Sequence, residues 1–177
     1  MLSEIEYDKI FSWLPYQDTW PIDRNNVDDN INNHYGSLIS ELVDNSIFST
    51  EQTQDGGMSN YLEFICYPKG FEFYSGPAIM LCISLCAPVA SYGEVEFTKA
   101  HNYSGLSGFI DPESVGIVTL PMLIPVQRNI VEILKKHEIG VIDSQLACKP
   151  LTGAKIASME NLNFGTQYLH GLFQWMD

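Results

Sequence analysis

The clearest pattern along the chain is an unbroken apolar stretch over residues 78–87. In an extended chain, successive side chains point to opposite faces. One face would then carry Ile79, Leu81, Ile83 and Leu85, and the other would carry Met80, Cys82, Ser84 and Cys86. A strand that is apolar on both faces belongs in the middle of a sheet that is covered on both sides. The pattern therefore predicts a central strand.

Other segments have the aromatic and branched residues that favour strands. We predict strands over residues 61–67, 71–74, 89–99 and 116–120. Gly93 lies inside the third of these and predicts a bulge or a bend there. Residues 50–59 and 104–108 are rich in glycine and polar side chains, so we predict loops at both places.

Apolar residues three and four positions apart predict two main helices. The first covers residues 27–44, and its stripe consists of Val27, Ile31, Tyr35, Leu38 and Leu42, widened by Ile39 and Val43. The second begins near Pro121 or Pro125 and ends near His137, with a stripe of Val126, Ile130, Ile133 and Leu134. Gly140 is the predicted stop of this second helix.

Three shorter elements complete the pattern. Ser3 and Glu6 fit a capping box, which predicts a helix ending before Pro15. Asp143 or Ser144 could cap one short helical turn, and residues 168–176 favour a helix while leaving a strand open. Helices, then a run of strands, then helices indicate an α+β fold, with helices packed on a central, mainly antiparallel sheet.

The length and composition fit one domain over residues 1–177. The chain is 45% hydrophobic and long enough to bury a core without a metal or disulfides. No basic segment followed by an apolar stretch occurs near the start, so no signal peptide is predicted. Residues 77–90 fall short of the ~20 apolar residues that cross a bilayer. We expect a cytoplasmic protein with no membrane association and four reduced, structural cysteines.

The charge of the chain is strongly negative, with a formal net charge of −13 at pH 7. Residues 1–60 hold 11 acids and 2 bases, whereas residues 61–177 hold 11 acids and 7 bases. Nucleic acid is a poor partner for such a chain, because binding requires basic groups at the phosphates. A basic protein is a good partner, because opposite fields steer encounter. An acidic surface that only keeps the protein soluble is the alternative.

The common catalytic signatures are absent from the sequence, including G-x-S-x-G, a Gly-rich phosphate loop and H-E-x-x-H. Cys82 and Cys86 are spaced closely, but they lack neighbouring ligands for zinc and fit core packing. A histidine paired with Cys66 or Cys148 would make a thiolate–imidazole unit, but no spacing places them together. We expect no catalytic residue.

Paired carboxylates are the remaining chemical candidates. Asp28 with Asp29, or Glu94 with Glu96, could bind Ca²⁺ or act as acid and base. Neither pair has the alternating ligands and the glycine of a calcium loop. The simplest interpretation of Glu94 and Glu96 is the solvated face of a strand. We therefore expect neither a metal nor a cofactor.

An aromatic cluster near the start suggests a protein-binding surface. Trp13, Tyr16 and Trp20 lie around two prolines and next to acidic residues. Aromatic anchors among charges are typical of interfaces, where the rings give affinity and the charges give rate and selectivity. The alternative is that these rings cover the sheet from a crossing loop.

The C-terminal third resembles small bacterial immunity proteins, the antitoxins of contact-dependent inhibition and other polymorphic toxin systems. The resemblance lies in residues 130–137, 139–143, Leu146, 149–151 and the close at residues 168–177. The ending Leu-Phe-Gln-Trp-Met-Asp is similar to the Leu-Phe-x-Trp-x-Asp close of that group, with Met176 where an acidic residue is expected. The match covers about fifty mostly apolar residues, and the first 120 residues match no family. The resemblance implies a cytoplasmic, non-enzymatic protein that blocks one cognate toxin domain.

The sequence therefore predicts an immunity protein, monomeric or weakly dimeric, that binds a basic toxin domain such as a nuclease. We expect the contact to use Asp28, Asp29, Glu41 and Asp44 on the first main helix, Glu51 and Asp55 in the following loop, and Trp20. A non-catalytic adaptor, or a nucleic-acid-mimicking inhibitor of another protein, is the second hypothesis. An enzyme with an unrecognised site is the third.

Overall fold

The computed structural model describes residues 27–55, 61–70, 74–85, 87–100, 103–107 and 110–150, together with positions 167, 169, 172 and 173. The helix predicted before Pro15, the aromatic cluster with Trp20, and most of the C-terminal segment lie outside the described residues. None of the helices in the described part of the chain has the length and apolarity that a membrane crossing requires.

The described chain forms one sheet with helices packed on it. In chain order its elements are α1 (Val27–Val43), β1 (Phe48–Asp55), β2 (Tyr61–Pro68), β3 (Tyr74–Ser84), β4 (Val89–Ala100), β5 (Tyr103–Ser107), a 3-10 turn (Pro112–Ser114), α2 (Ile124–Lys136), β6 (Gly140–Val141) and α3 (Ser144–Ala147). Strands β1 to β5 are antiparallel neighbours in chain order, and β6 pairs in parallel with the start of β4. The predicted α+β class is confirmed.

The predicted central strand is β3, which lies between β2 and β4. One face of the sheet, the helix-covered face, packs against α1 and α2; from β3 it includes Ile79, Leu81 and Ile83. The other face, the opposite face, includes Met80 and Cys82 from the same strand. The alternation predicted for these residues is confirmed, and it fixes which side chains meet the helices.

Helix α1 packs by the predicted stripe. Ile31, Leu38 and Leu42 are buried, and the Tyr35 hydroxyl donates to the Ser84 carbonyl at 3.1 Å. The prediction that Val43 widens the stripe is wrong, because this side chain is 55% exposed. Each residue turns about 100° around a helix axis, so Val43 points away from the sheet although Leu42 points into it.

Helix α2 buries all four residues of its predicted stripe, and Lys135 and Lys136 lie in its last turn. Its end differs from the prediction. Glu138 takes the left-handed conformation with φ of 59°, and the Ile139 amide donates to the Leu134 carbonyl at 2.9 Å. This pattern is a Schellman motif. Gly140 was predicted to stop the helix, but it begins β6 instead.

Three predictions about the strands are corrected. The predicted loop over residues 50–59 is strand β1 as far as Asp55, because its polar side chains suit a sheet edge and its backbone pairs with β2. The predicted loop over residues 104–108 is largely strand β5, paired with residues 96–100 of β4. Residues 116–120 were predicted to form a strand and do not. Their backbone amides donate hydrogen bonds outside a strand ladder, and those of residues 119 and 120 donate to the Glu94 carboxylate.

Gly93 has a different role from the bulge or bend predicted for it. The register of β3 and β4 runs through the Met80–Gly93 pair without a shift. A Cβ at this position would lie 2.9 Å from Cγ2 of Ile110. The glycine therefore permits the chain at Ile110 to approach the sheet closely.

Candidate functional site

The predicted contact surface begins with the carboxylates of α1. Asp29 and Asp44 are exposed, near the start of the helix and just after its end. At 1.5 Å per residue they lie about 22 Å apart along the axis. Because the buried stripe holds the other side of the helix against the sheet, both carboxylates face solvent. The backbone of Asp28 lies in the first turn, and its side chain is outside the described residues.

Glu41 lies on the flank of α1 that meets α2. Its carboxylate pairs with Lys136 Nζ at 2.8 Å and with His137 Nε2 at 2.9 Å. Hydrogen bonds from Lys136 and then from His137 lower the pKa of Glu41 below its usual range. This side chain therefore links the two helices, and it is less available to a partner than Asp29 and Asp44.

Glu51 lies on a different side of the molecule from the α1 carboxylates. It is paired in register with Ile65, whose side chain is on the opposite face of the sheet. Its carboxylate forms an ion pair with Lys99 on β4, and this contact raises the pKa of Lys99. Asp55 ends β1 opposite Leu62, and its side chain is outside the described residues. The structure does not bring Glu51 together with Asp29 and Asp44.

The sequence did not reveal a row of polar groups that crosses the opposite face. Thr53 donates from Oγ1 to Glu63 Oε1 at 2.5 Å, and Glu63 pairs in register with Cys82, which pairs with Ser91. Glu63 is buried, and its desolvation raises the pKa of its carboxyl above the usual range. The sequence did contain a signal that Glu63 is buried. Glu63 alternates with Tyr61, Ile65 and Tyr67, so the four side chains share one face of the strand.

The described cysteines are free thiols. Burial raises the pKa of Cys66 to about 12 and the pKa of Cys82 well above its usual value. A thiol with a raised pKa stays protonated at neutral pH, and the thiolate is the form that attacks or binds a metal. Both side chains therefore act as small core residues. Within the described part of the chain, no group of three or more His, Cys, Asp or Glu could hold a metal ion.

A second feature missed by sequence reasoning is the carboxylate of Glu94. Oε1 accepts hydrogen bonds from the amides of Thr119 and Leu120 at 2.5 and 2.7 Å, and Oε2 accepts from the Thr119 hydroxyl at 3.0 Å. Desolvation raises the pKa of Glu94, but these hydrogen bonds outweigh it and leave the pKa lowered. Glu94 is half-buried at the surface and bound to residues 119 and 120, and Glu96 is exposed as predicted. No local sequence signal connects Glu94 with residues 119 and 120.

Comparison with known proteins gave no relatives. Neither protein-family models, nor curated proteins, nor solved structures match this chain.

Proposed function

We propose that this protein is an immunity protein that binds a basic toxin domain and neutralises it. The observation that carries the proposal is the pair of exposed carboxylates on α1, in a chain of net charge −13 whose acids are concentrated in the first 60 residues. The resemblance of the C-terminal third to immunity proteins supports the same function.

The proposed contact uses the solvent face of α1, with Asp29 and Asp44 as its central charges. Trp20 and the side chain of Asp28, which the sequence predicts for the same contact, lie outside the described residues. Two exposed carboxylates about 22 Å apart along the axis, on a chain of net charge −13, attract lysines and arginines on a partner before contact is made. Such charges act mainly on the association rate. Glu41 has a second role in holding α2, and Glu51 lies on the other side of the sheet, so we place both outside the central contact.

The net charge of −13 also fits one alternative function. A strongly acidic chain could compete with nucleic acid and block a nucleic-acid-binding protein that is not a toxin. Both proposals require a basic partner, and they differ in which protein that partner is. The gene neighbourhood separates them, because an immunity protein is expected to bind the product of the gene directly upstream.

The test is binding of the purified chain to the C-terminal domain of the protein encoded directly upstream. We expect a stable complex, and loss of the domain's toxicity in cells that express both proteins. The double variant Asp29→Lys and Asp44→Lys should slow association and reduce its dependence on salt. The matched control is Glu132→Lys with Glu138→Lys, which changes the net charge equally at two exposed acids of the α2 region.

Three outcomes bear on the proposal. Slower association in the α1 variant but not in the control supports it. Equal slowing in both variants would mean that net charge, and not the α1 surface, steers binding. No complex with the upstream product would contradict the immunity function and leave the nucleic-acid-mimic alternative.

A further inference from the structure

The pairing of β1 with β2 is irregular near the end of β1. The register is regular up to the pair of Gln52 with Phe64, but the next pair joins Gln54 with Glu63. Thr53 is therefore an extra residue in β1, and Thr53 and Gln54 together oppose Glu63. Such a β-bulge interrupts the ladder and leaves the extra residue unpaired. An interaction outside the ladder must compensate for this loss.

The residue opposite the bulge is a buried acid. Glu63 is 7% exposed, and Tyr61 and Ile65, its neighbours on this face of β2, are also buried. Its register partner on β3 is Cys82, whose thiol forms only weak hydrogen bonds. A buried carboxyl is costly unless it is hydrogen-bonded. A stronger partner for Glu63 therefore has to come from β1.

The extra residue of the bulge supplies this partner. Thr53 donates from Oγ1 to Oε1 of Glu63 at 2.5 Å, and the same hydroxyl lies 3.5 Å from the backbone carbonyl oxygen of Glu63. Hydrogen bonds to an ionised carboxylate are stronger than those between neutral groups. The bulge also places two polar residues opposite the buried acid, where a regular ladder would place one. The irregularity in β1 and the buried acid in β2 therefore form one arrangement.

We propose that Glu63 sets the register of the end of β1, because its buried carboxyl holds the bulge at Thr53. The value of this acid to the protein then lies in selecting one pairing of the two strands, and not in adding stability. A single buried polar residue selects the register of some coiled coils in the same way, at a cost in stability. This role is independent of the partner that the protein binds.

The test compares Glu63→Leu with the matched control Glu63→Gln. Glutamine keeps an oxygen that can accept from Thr53, whereas leucine does not. The two registers are distinguished by NMR, through contacts between backbone protons of opposed residues. With the bulge, position 62 opposes Asp55. In a regular ladder, position 62 would oppose Gln54. We expect the leucine variant to shift by one residue to the regular ladder, and the glutamine variant to keep the bulge.

Urea unfolding of the same variants separates register selection from ordinary stabilisation. Replacing a buried polar group with an apolar one of similar size is often neutral or stabilising. We therefore expect Glu63→Leu to change the register without lowering the stability of the protein. A purely stabilising role for Glu63 predicts the reverse, a loss of stability with the bulge retained.

Two results would overturn the proposal. The first is a Glu63→Leu variant that keeps the bulge, and the second is loss of the bulge in both Glu63 variants. If the leucine variant does not fold, Thr53→Val replaces it, because it removes the donor with little change in volume and should also lose the bulge. Its matched control is Thr50→Val, which removes a hydroxyl that donates to the Leu42 carbonyl at 2.9 Å in the regular part of β1. Retention of the bulge in Thr53→Val would likewise overturn the proposal.

Discussion

The two faces of the sheet are built from the same strands but are stabilised differently. The helix-covered face is mostly aliphatic, and the stripes of α1 and α2 close over side chains such as Leu62, Phe64 and Leu81. Hydrophobic burial supplies most of its stability, and such packing depends on volume more than on any single contact. Its residues could therefore be predicted from periodicity alone.

The opposite face combines aromatic rings with buried polar groups. Tyr67 stacks on Tyr74 with ring centroids 4.8 Å apart, and Phe173 meets the edge of Tyr61 at 6.1 Å. The same face holds the row from Thr53 to Ser91, and the buried Ser91 hydroxyl lies beside the Cys82 thiol, whose pKa it lowers against the larger effect of burial. Ring packing and hydrogen bonding contribute to the stability of this face, so single substitutions there should change the free energy of unfolding in a residue-specific way.

The largest effect is expected on the helix-covered face, from Leu38→Ala. Leu38 is 2% exposed and lies in the middle of the α1 stripe. Truncation of a buried leucine leaves a cavity and costs about 2–5 kcal/mol of unfolding free energy. The measurement is urea unfolding, with Val43→Ala on the same helix as the matched control. Because Val43 is 55% exposed, its truncation should change stability by no more than about 0.5 kcal/mol. Equal losses in both variants would contradict the packing of α1.

On the opposite face, Gly93→Ala should destabilise the protein although it adds one methyl group. The new Cβ would lie 2.9 Å from Ile110, so the neighbouring chain must shift. Overpacking of this kind costs roughly 1–3 kcal/mol. Gly36→Ala in α1 is the matched control, because apart from its chain neighbours and the backbone of its own helix nothing lies within 4 Å of its Cβ position. It should stabilise the helix by up to about 1 kcal/mol. Unfolding free energies that change in the same direction for both glycines would contradict the close approach at Gly93.

The contrast between the faces also explains what could be predicted from sequence. The stripes of α1 and α2 and the alternation in β3 are local patterns, and the burial of Leu38, Ile130 and Leu81 confirms the predictions made from them. The edge strands β1 and β5 were predicted as loops, because a strand at a sheet edge needs only backbone pairing and can carry polar or small residues. Local composition does not report such pairing.

The candidate site was harder to predict for the same physical reason. Exposure of Asp29 and Asp44 follows from the helical stripe, since both lie off it. The pairing of Glu41 with Lys136, and that of Glu51 with Lys99, depends on how distant segments come together. The hydrogen bonds from the amides of residues 119 and 120 to the Glu94 carboxylate also join segments that lie far apart in the sequence. Contacts between residues far apart in sequence leave no periodic signal.

Glu63 offers the finest test of the difference between the faces, through pH. Burial raises the pKa of Glu63 above its unfolded value of 4.5, while the hydrogen bond from Thr53 opposes this rise. The Cys82 thiol, whose pKa is raised well above its usual value, and the neutral Ser91 hydroxyl lie beside Glu63, and the Glu51–Lys99 ion pair lies on the same face. Comparing a Glu63 variant with the wild type isolates the contribution of Glu63, because these other groups are present in both.

Glu63→Gln should therefore stabilise the protein at neutral pH, because the neutral amide avoids the desolvation cost of the buried carboxylate. An acid with a raised folded-state pKa favours folding below its unfolded pKa, and this contribution is lost as pH rises through the folded-state pKa. The difference in unfolding free energy between the variant and the wild type should be smallest near pH 4, grow above it and then level off. Urea unfolding from pH 4 to pH 8 measures it, with Glu132→Gln, which removes one exposed carboxylate, as the matched control. A difference that stays constant across this range would mean that the carboxyl of Glu63 is solvated as well in the folded protein as in the unfolded chain.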